Sequence, residues 1–272
     1  MDDETLRRQV GSHLEIEVRS RTRLMLQVAV ADPAPGTVAE SLTITLDGAP
    51  VVPVEVSAPH GGRIHTLTAQ PGVLLIDYQA VVHGRAAAAP VSVLDEISYL
   101  RPSRYAESDR LGPIARAEFA GIPAGPDLLA AVSSWVGTRL YYVSGSSSPT
   151  DGAVDTLLQG QGVCRDFAHL VVGLLRALDV PARLAAVYAP GLSPMDFHAV
   201  AEALIDGRWL VVDSTLLAPR SSLVRIATGR DASDTAFLSN YDGELSLRQL
   251  TVSAVVDGQL PQDELSQAVL LG

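Results

Sequence analysis

Cysteine is nearly absent from the sequence: among 272 residues there is one, Cys164. A single thiol cannot close an internal disulfide, so nothing in the cysteine usage points to an oxidising compartment. Basic residues are also scarce, with 20 Lys and Arg against 31 Asp and Glu, a formal charge of −11. That balance argues against nucleic acid, whose non-specific affinity comes from clustered cations, and against anionic membrane surfaces. No apolar run approaches the roughly eighteen residues of a membrane-spanning helix. The first residues, Met1-Asp2-Asp3-Glu4, lack the basic and apolar regions of a secretory leader, so a cytoplasmic location is expected. The apolar fraction of 47% and charged fraction of 19% fit a chain that buries a core. They exclude wholesale disorder, a collagen repeat and a small disulfide scaffold.

Residues 13–84 read as β structure. Leu14 to Arg19 and Leu42 to Asp47 alternate in polarity, and Val51 to Val56 and Gly72 to Val82 continue the pattern between Gly- and Pro-containing turns. Short strands at this spacing predict an antiparallel sandwich or barrel. Residues 85–126 change composition and read as a partly ordered connection. Beyond Pro126 the period becomes helical through Leu128, Val132, Trp135 and Val136, and a short strand is predicted at Leu140–Val143. Gly145–Thr150 is a loop, Asp151–Leu158 a short helix, and Gly160-Gln161-Gly162 a break. From Cys164 to Leu178 one apolar stripe, including Phe167, Leu170, Val171, Leu174, Leu175 and Leu178, predicts an amphipathic helix. Strands resume at Arg183–Tyr188, and Leu247–Val256 is a further candidate.

A lone cysteine is either a small buried hydrophobe or a nucleophile. Cys164 follows a Gly-x-Gly break and opens a helix. Helix N-termini carry partial positive charge and free N–H groups, which favour thiolate over thiol and can stabilise an oxyanion. A nucleophile there needs a base, and the base an orienter. Residues 198–213 form a hairpin around Asp206-Gly207. Taking that dipeptide as the turn pairs Ile205 with Arg208, Val200 with Asp213 and His198 with Thr215. His198, Val200 and Asp213 then share one face, and His198 and Asp213 are diagonal neighbours about 7–8 Å apart. A carboxylate there can hold one imidazole nitrogen while the other faces a thiol. A slip of one residue would destroy the arrangement.

Other residues fit less well. His169 points about 140° away from Cys164 on the helix, as a core or supporting residue. His60 and His65 have no recognised zinc spacing, and His13 and His83 read as ordinary strand or loop residues. Glu202 shares the His198 face but suits a structural hydrogen bond, Arg165 and Asp166 a local or interdomain ion pair, and Trp135 and Trp209 the core. There is no Gly-x-Ser-x-Gly elbow, and Gly160-Gln161-Gly162 lacks the third glycine of a dinucleotide fingerprint.

The segment Gly162-Val163-Cys164-Arg165-Asp166-Phe167-Ala168-His169-Leu170 resembles the active-site segment of bacterial transglutaminase-like proteins, also described as candidate cysteine proteases. The resemblance extends to Pro102-Ser103-Arg104-Tyr105, Pro181-Ala182-Arg183, His198-Ala199, Trp209 to Asp213, and Gly229-Arg230-Asp231-Ala232. It implies an α+β fold: a papain-like, transglutaminase-like core preceded by an antiparallel β-sandwich. The expected division is 1–105 for the β domain and connector and 106–272 for the catalytic domain. It further implies Cys164 as nucleophile, His198 as general base and then acid, and Asp213 as orienter. Tyr142 matches an aromatic position before the loop, and its hydroxyl is a candidate second oxyanion donor. Val200 and Ser214 stand where the family often carries an aromatic residue and a proline.

The expected reaction is thiol-dependent acyl transfer on an amide or peptide, with water or an amine as acceptor. The triad alone does not choose between them. A non-catalytic protein-binding module retaining this fold is the alternative. No cofactor or metal is required, and no acidic cluster suggests calcium. The expected partner is a peptide or amide substrate, with no nucleic acid and no membrane, and the sequence leaves the oligomeric state open.

Overall fold

The alternating segments at the start of the chain do form strands. The computed structural model describes residues 6–32, 37–85, 90–264 and 267–271. Strands β1 (Arg7–Val18), β2 (Thr22–Leu26), β3 (Thr37–Leu46), β4 (Ala49–Pro50), β5 (Val54–Ser57), β6 (Arg63–Ala69) and β7 (Gly72–His83) come first. Helices α1 (Val93–Ser98), α2 (Ser108–Phe119) and α3 (Pro126–Arg139) follow, then β8 (Tyr141–Tyr142), α4 (Ala153–Gln159), β9 (Gln161–Gly162) and α5 (Cys164–Ala177). The rest comprises β10 (Ala182–Tyr188), β11 (Phe197–Ile205), β12 (Arg208–Val212), β13 (Val224–Gly229), α6 (Ala232–Thr235), β14 (Leu238–Tyr241) and β15 (Leu245–Val256).

Two antiparallel sheets, ordered β15-β1-β7-β3-β4 and β14-β2-β6-β5, enclose one apolar layer. Leu14 and Ile16 of β1, Leu24 and Leu26 of β2, Leu67 of β6, and Leu74 and Ile76 of β7 meet there. Burying each such side chain contributes about 1.5–3 kcal/mol. The second unit is a sheet ordered β12-β11-β10-β13 with helices on one side. Ala182, Ala201 and Ala203 from this sheet join the α5 stripe of Leu170, Val171, Leu174 and Leu175 in a separate core. The architecture is therefore α+β, with an antiparallel β region ahead of a mixed core.

Two expectations need correction. Residues 85–126, expected as a partly ordered connection, carry more than that: among the described ones, α2 packs Leu111 and Ala115 into the helical core. A Cβ added at Gly173 of α5 would stand 2.6 Å from Leu111 Cδ1, so these helices cross at very close range. Gly112 and Pro113 inside α2 disguise it as a linker, because both residues disfavour helix interiors. Nor do residues 106–272 stay together. β15 pairs with β1 along almost its whole length, from Arg8–Val256 to Val18–Leu245, and β14 pairs with β2. Alternation identifies 245–256 as a half-buried strand, but it does not name the partner.

Polar contacts join the units as well. The Tyr188 hydroxyl on β10 donates to the Val28 carbonyl at 2.8 Å, and Arg8 of β1 donates to the Leu223 carbonyl at 3.0 Å.

The placement of β15 is testable. Val252 faces the sandwich core while Val255 is exposed. Val252→Ala should lower unfolding free energy by about 2 kcal/mol in a urea titration, whereas Val255→Ala should leave the midpoint nearly unchanged.

Candidate active site

The thiol is placed by a chain of local constraints. Gly160 closes α4 in the left-handed conformation at φ +67°. The next two residues form β9, parallel to β8, with Tyr141 paired to Gln161 and Tyr142 to Gly162. A Cβ on Gly162 would fall 2.7 Å from Cβ of Asp166, so only glycine fits. Val163 is the N-cap of α5, and Asp166 Oδ2 accepts its N–H at 2.8 Å. Cys164 is thus the first residue of the helix, half-buried, among N–H groups with no intrahelical acceptor.

Arg165 and Asp166 form the local ion pair, 3.3 Å apart. Both also hold the loop after β8. Asp166 Oδ1 accepts from Ser147 Oγ at 2.9 Å, and Arg165 donates to Ser147 Oγ and the Ser148 carbonyl at 2.6 and 2.9 Å.

The hairpin has the predicted register. Asp206 and Gly207 adopt φ +49° and +71°, and Ile205 pairs with Arg208 and Ala201 with Val212. Asp213, just past β12, reaches His198: its Oδ2 lies 3.0 Å from His198 Nε2. Asp213 Oδ1 accepts from the Thr215 N–H and hydroxyl at 2.8 and 2.7 Å. Both His198 and Asp213 are buried. The other ring nitrogen, Nδ1, is buried without a hydrogen-bond partner of ordinary geometry, and Cys164 is near enough to act on the ring.

Burial alone would strip His198 of its charge. The Asp213 carboxylate, reinforced by Cys164, reverses that and raises its pKa to about 10. Burial would likewise raise the Asp213 carboxyl, but His198 and the two Thr215 bonds hold it below its ordinary value.

Tyr142 comes to the same place from β8. Its hydroxyl interacts with the backbone N–H and thiol of Cys164. Its pKa is pushed up to about 12, first by burial and then by negative charge on Cys164, so at neutral pH it remains a donor. Its ring leans on Phe167 with centroids 5.9 Å apart. The four predicted residues Tyr142, Cys164, His198 and Asp213 therefore form one neighbourhood.

The other candidates have structural surroundings. Glu202 is fully buried, held by Arg183 at 2.8 Å and by both Nη atoms of Arg225 at 2.7 and 2.8 Å. Arg183 stacks on Trp209, 3.9 Å from its centroid. His60 contacts Tyr99 and Asp95, and His65 contacts Glu55. No cluster of three or more His, Cys, Asp or Glu suited to a metal occurs among the described residues. No helix among them is long and apolar enough to cross a membrane.

His169 anchors two of the motif segments. Its Nε2 accepts the Ala232 N–H at 3.1 Å, and its ring stacks on Tyr105. Asp231 accepts the Tyr105 N–H at 2.9 Å. Arg176, one helix turn pair further along, donates to the Ala182, Arg101 and Arg230 carbonyls and to Ser103 Oγ. The structural hydrogen bond expected for Glu202 is formed, but sequence reasoning did not name its partners Arg183 and Arg225, and it gave no role to Thr215 or Ser147. Only Thr215 left a usable signal, since the hairpin register places it opposite His198.

Comparison with known proteins identifies the family of the chain. The sequence profile of the transglutaminase-like superfamily matches residues 116–214, a span that contains Cys164, His198 and Asp213. A crystal structure from Cytophaga hutchinsonii, described as a candidate cysteine protease, is 33% identical, with a TM-score of 0.85 over 95% of this chain and 93% of that one. The chain belongs to the transglutaminase-like superfamily. An uncharacterised protein of Mycobacterium leprae is 24% identical over 216 residues, 72% of this chain and 74% of its own.

Two pH effects follow. Because His198 is raised in the folded state, its stabilisation is complete below the unfolded value near 6.5 and is lost as pH rises through about 10. Asp213→Asn keeps an acceptor but removes the charge, so the His198 imidazole should titrate well below 10 in a ¹³C-histidine NMR experiment. Burial lowers His169 to about 3, so its neutral ring contributes fully above 6.5 and costs stability as pH falls toward 3. His169→Gln should flatten the loss of unfolding free energy across that acid window.

Proposed function

We propose that the protein is a cysteine-dependent acyltransferase or amidase acting on an amide or peptide carbonyl. The observation that carries this reading is His198, held buried between Asp213 at 3.0 Å and the thiol at the mouth of α5. Membership of the transglutaminase-like superfamily supports it.

In this reading Cys164 is the nucleophile, His198 the general base and acid, and Asp213 the group that fixes the ring. At neutral pH the raised His198 ring already carries the proton, and Cys164 Sγ attacks the carbonyl carbon as the thiolate paired with it. The tetrahedral oxyanion accepts hydrogen bonds from the Cys164 backbone N–H and the Tyr142 hydroxyl. The C–N bond then breaks, His198 protonates the leaving amine, and a thioester remains. Water or a second amine attacks that thioester, gives its proton to His198, and releases the acid or the new amide. Nothing in the mechanism requires a metal or an organic cofactor.

The nucleophile assignment is tested by alkylation. At pH 6, Cys164 should react with iodoacetamide faster than a free thiol, and His198→Ala should abolish the excess. Equal rates would leave a non-catalytic binding module. Incorporation of a fluorescent primary amine, measured against hydrolysis of the same acyl donor, distinguishes transferase from amidase. Tyr142→Phe should slow hydrolysis of p-nitrophenyl acetate by about 10²-fold, as loss of one oxyanion donor does elsewhere. Alkylation, which forms no oxyanion, should fall far less.

A further inference from the structure

A cavity of about 540 Å³ lies between α3 and the end of β12, and neither Cys164 nor His198 lines it. That volume falls within the roughly 300–1,000 Å³ of small-molecule sites. Two distances fix its walls. Ser133 Oγ of α3 donates to the Asp213 carbonyl at 3.3 Å, and a Cβ added at Gly137 would stand 2.7 Å from the Ser214 carbonyl oxygen. The helix thus rests directly on the residues that follow β12. Leu129, Leu210, Val212 and Leu216 supply an apolar lining.

The buried charges at the cavity are already matched. Asp213 is paired with His198 and Thr215. Arg220 holds Asp263 through Nε and Nη2 at 2.9 Å each, and donates to the Glu264 and Gln267 carbonyls at 2.8 and 3.2 Å. The remaining charge among the lining residues is Asp127, an exposed carboxylate. No lining cation is left to hold an anion.

Two features stay unsatisfied. Ser214 is 7% exposed and lines the cavity, yet its hydroxyl is buried without a hydrogen-bond partner among the described residues. A buried hydroxyl costs free energy until something bonds it. Leu216 holds φ +54°, a region that leucine rarely enters, and is 54% exposed. A strained backbone that leaves a large apolar side chain in water at a cavity wall marks a place that a ligand covers.

We propose that this cavity binds a small uncharged organic molecule. Its apolar body rests against Leu129, Val212 and Leu216, and one hydroxyl or amide group bonds Ser214 Oγ. The occupant lies against the residues that hold Asp213 and does not touch the thiol, so the inference is independent of the reaction assigned to Cys164.

Two probes that share one body test it, 4-phenylbutan-1-ol and 4-phenylbutanoate. Cys164 is first carbamidomethylated to block binding at the thiol, and dissociation constants are read by saturation-transfer NMR titration. The alcohol should bind with a Kd below about 1 mM, the scale expected for a ligand of its size. It should bind at least tenfold tighter than the carboxylate, which finds no free cation. Ser214→Ala should weaken the alcohol about threefold or more, the scale of one lost hydrogen bond. Ala130→Phe fills the cavity from an exposed position on its helical wall. It should weaken the alcohol at least tenfold and leave the urea midpoint nearly unchanged. An alcohol Kd above 1 mM, a carboxylate that binds as tightly, or a Kd that either substitution leaves in place overturns the proposal.

Discussion

The arrangement around Cys164 depends on the register of one hairpin. Two residues, Asp206 and Gly207, with positive φ, fix which residues of β11 and β12 oppose each other. Type I′ turns match the twist of the flanking strands, so this dipeptide selects one pairing. In that pairing His198 and Asp213 lie on the same face and meet at 3.0 Å. In a pairing displaced by one residue, the carboxylate would face the helical core, where an unpaired charge is costly. The ion pair, the raised imidazole and the approach to the thiol all inherit this single geometric choice.

The sheet that carries His198 also hides charge elsewhere. Glu202 sits on the His198 face and is locked between two arginines, and Arg225 also donates to the Leu271 carbonyl at 3.1 Å. Replacing one member of such a group leaves its partners charged and dry, which costs far more than the group contributes net. This polar seam and the loops gathered by Arg176 therefore fix how the strands lie beneath the site. The C-terminal segment completes the frame, with Leu270 bridging to Leu210 and the Val211 N–H donating to the Val269 carbonyl.

Much of this was legible in the sequence. Strand alternation, the apolar stripe from Phe167 to Leu175 and the Asp-Gly turn are local patterns, and they located the β region, α5 and the hairpin. The hairpin register then brought His198 to Asp213 without further information. What escaped depends on partners distant in the chain. α2 hides behind Gly112 and Pro113 because its place is secured by packing on Gly173 of α5, not by helix propensity. The destination of β15 is invisible because any half-buried edge could accept an alternating strand. The Arg183–Glu202–Arg225 cluster spans three strands, and no spacing rule announces it.

The return of β14 and β15 to the first two strands has a consequence for biosynthesis. As the polypeptide leaves the ribosome, β1 and β2 emerge early, yet each keeps one side unsatisfied until nearly everything else has been translated. An uncovered strand side invites pairing with neighbouring nascent chains. A product truncated before β14 would leave both of these strand sides open, on a scaffold prone to aggregate.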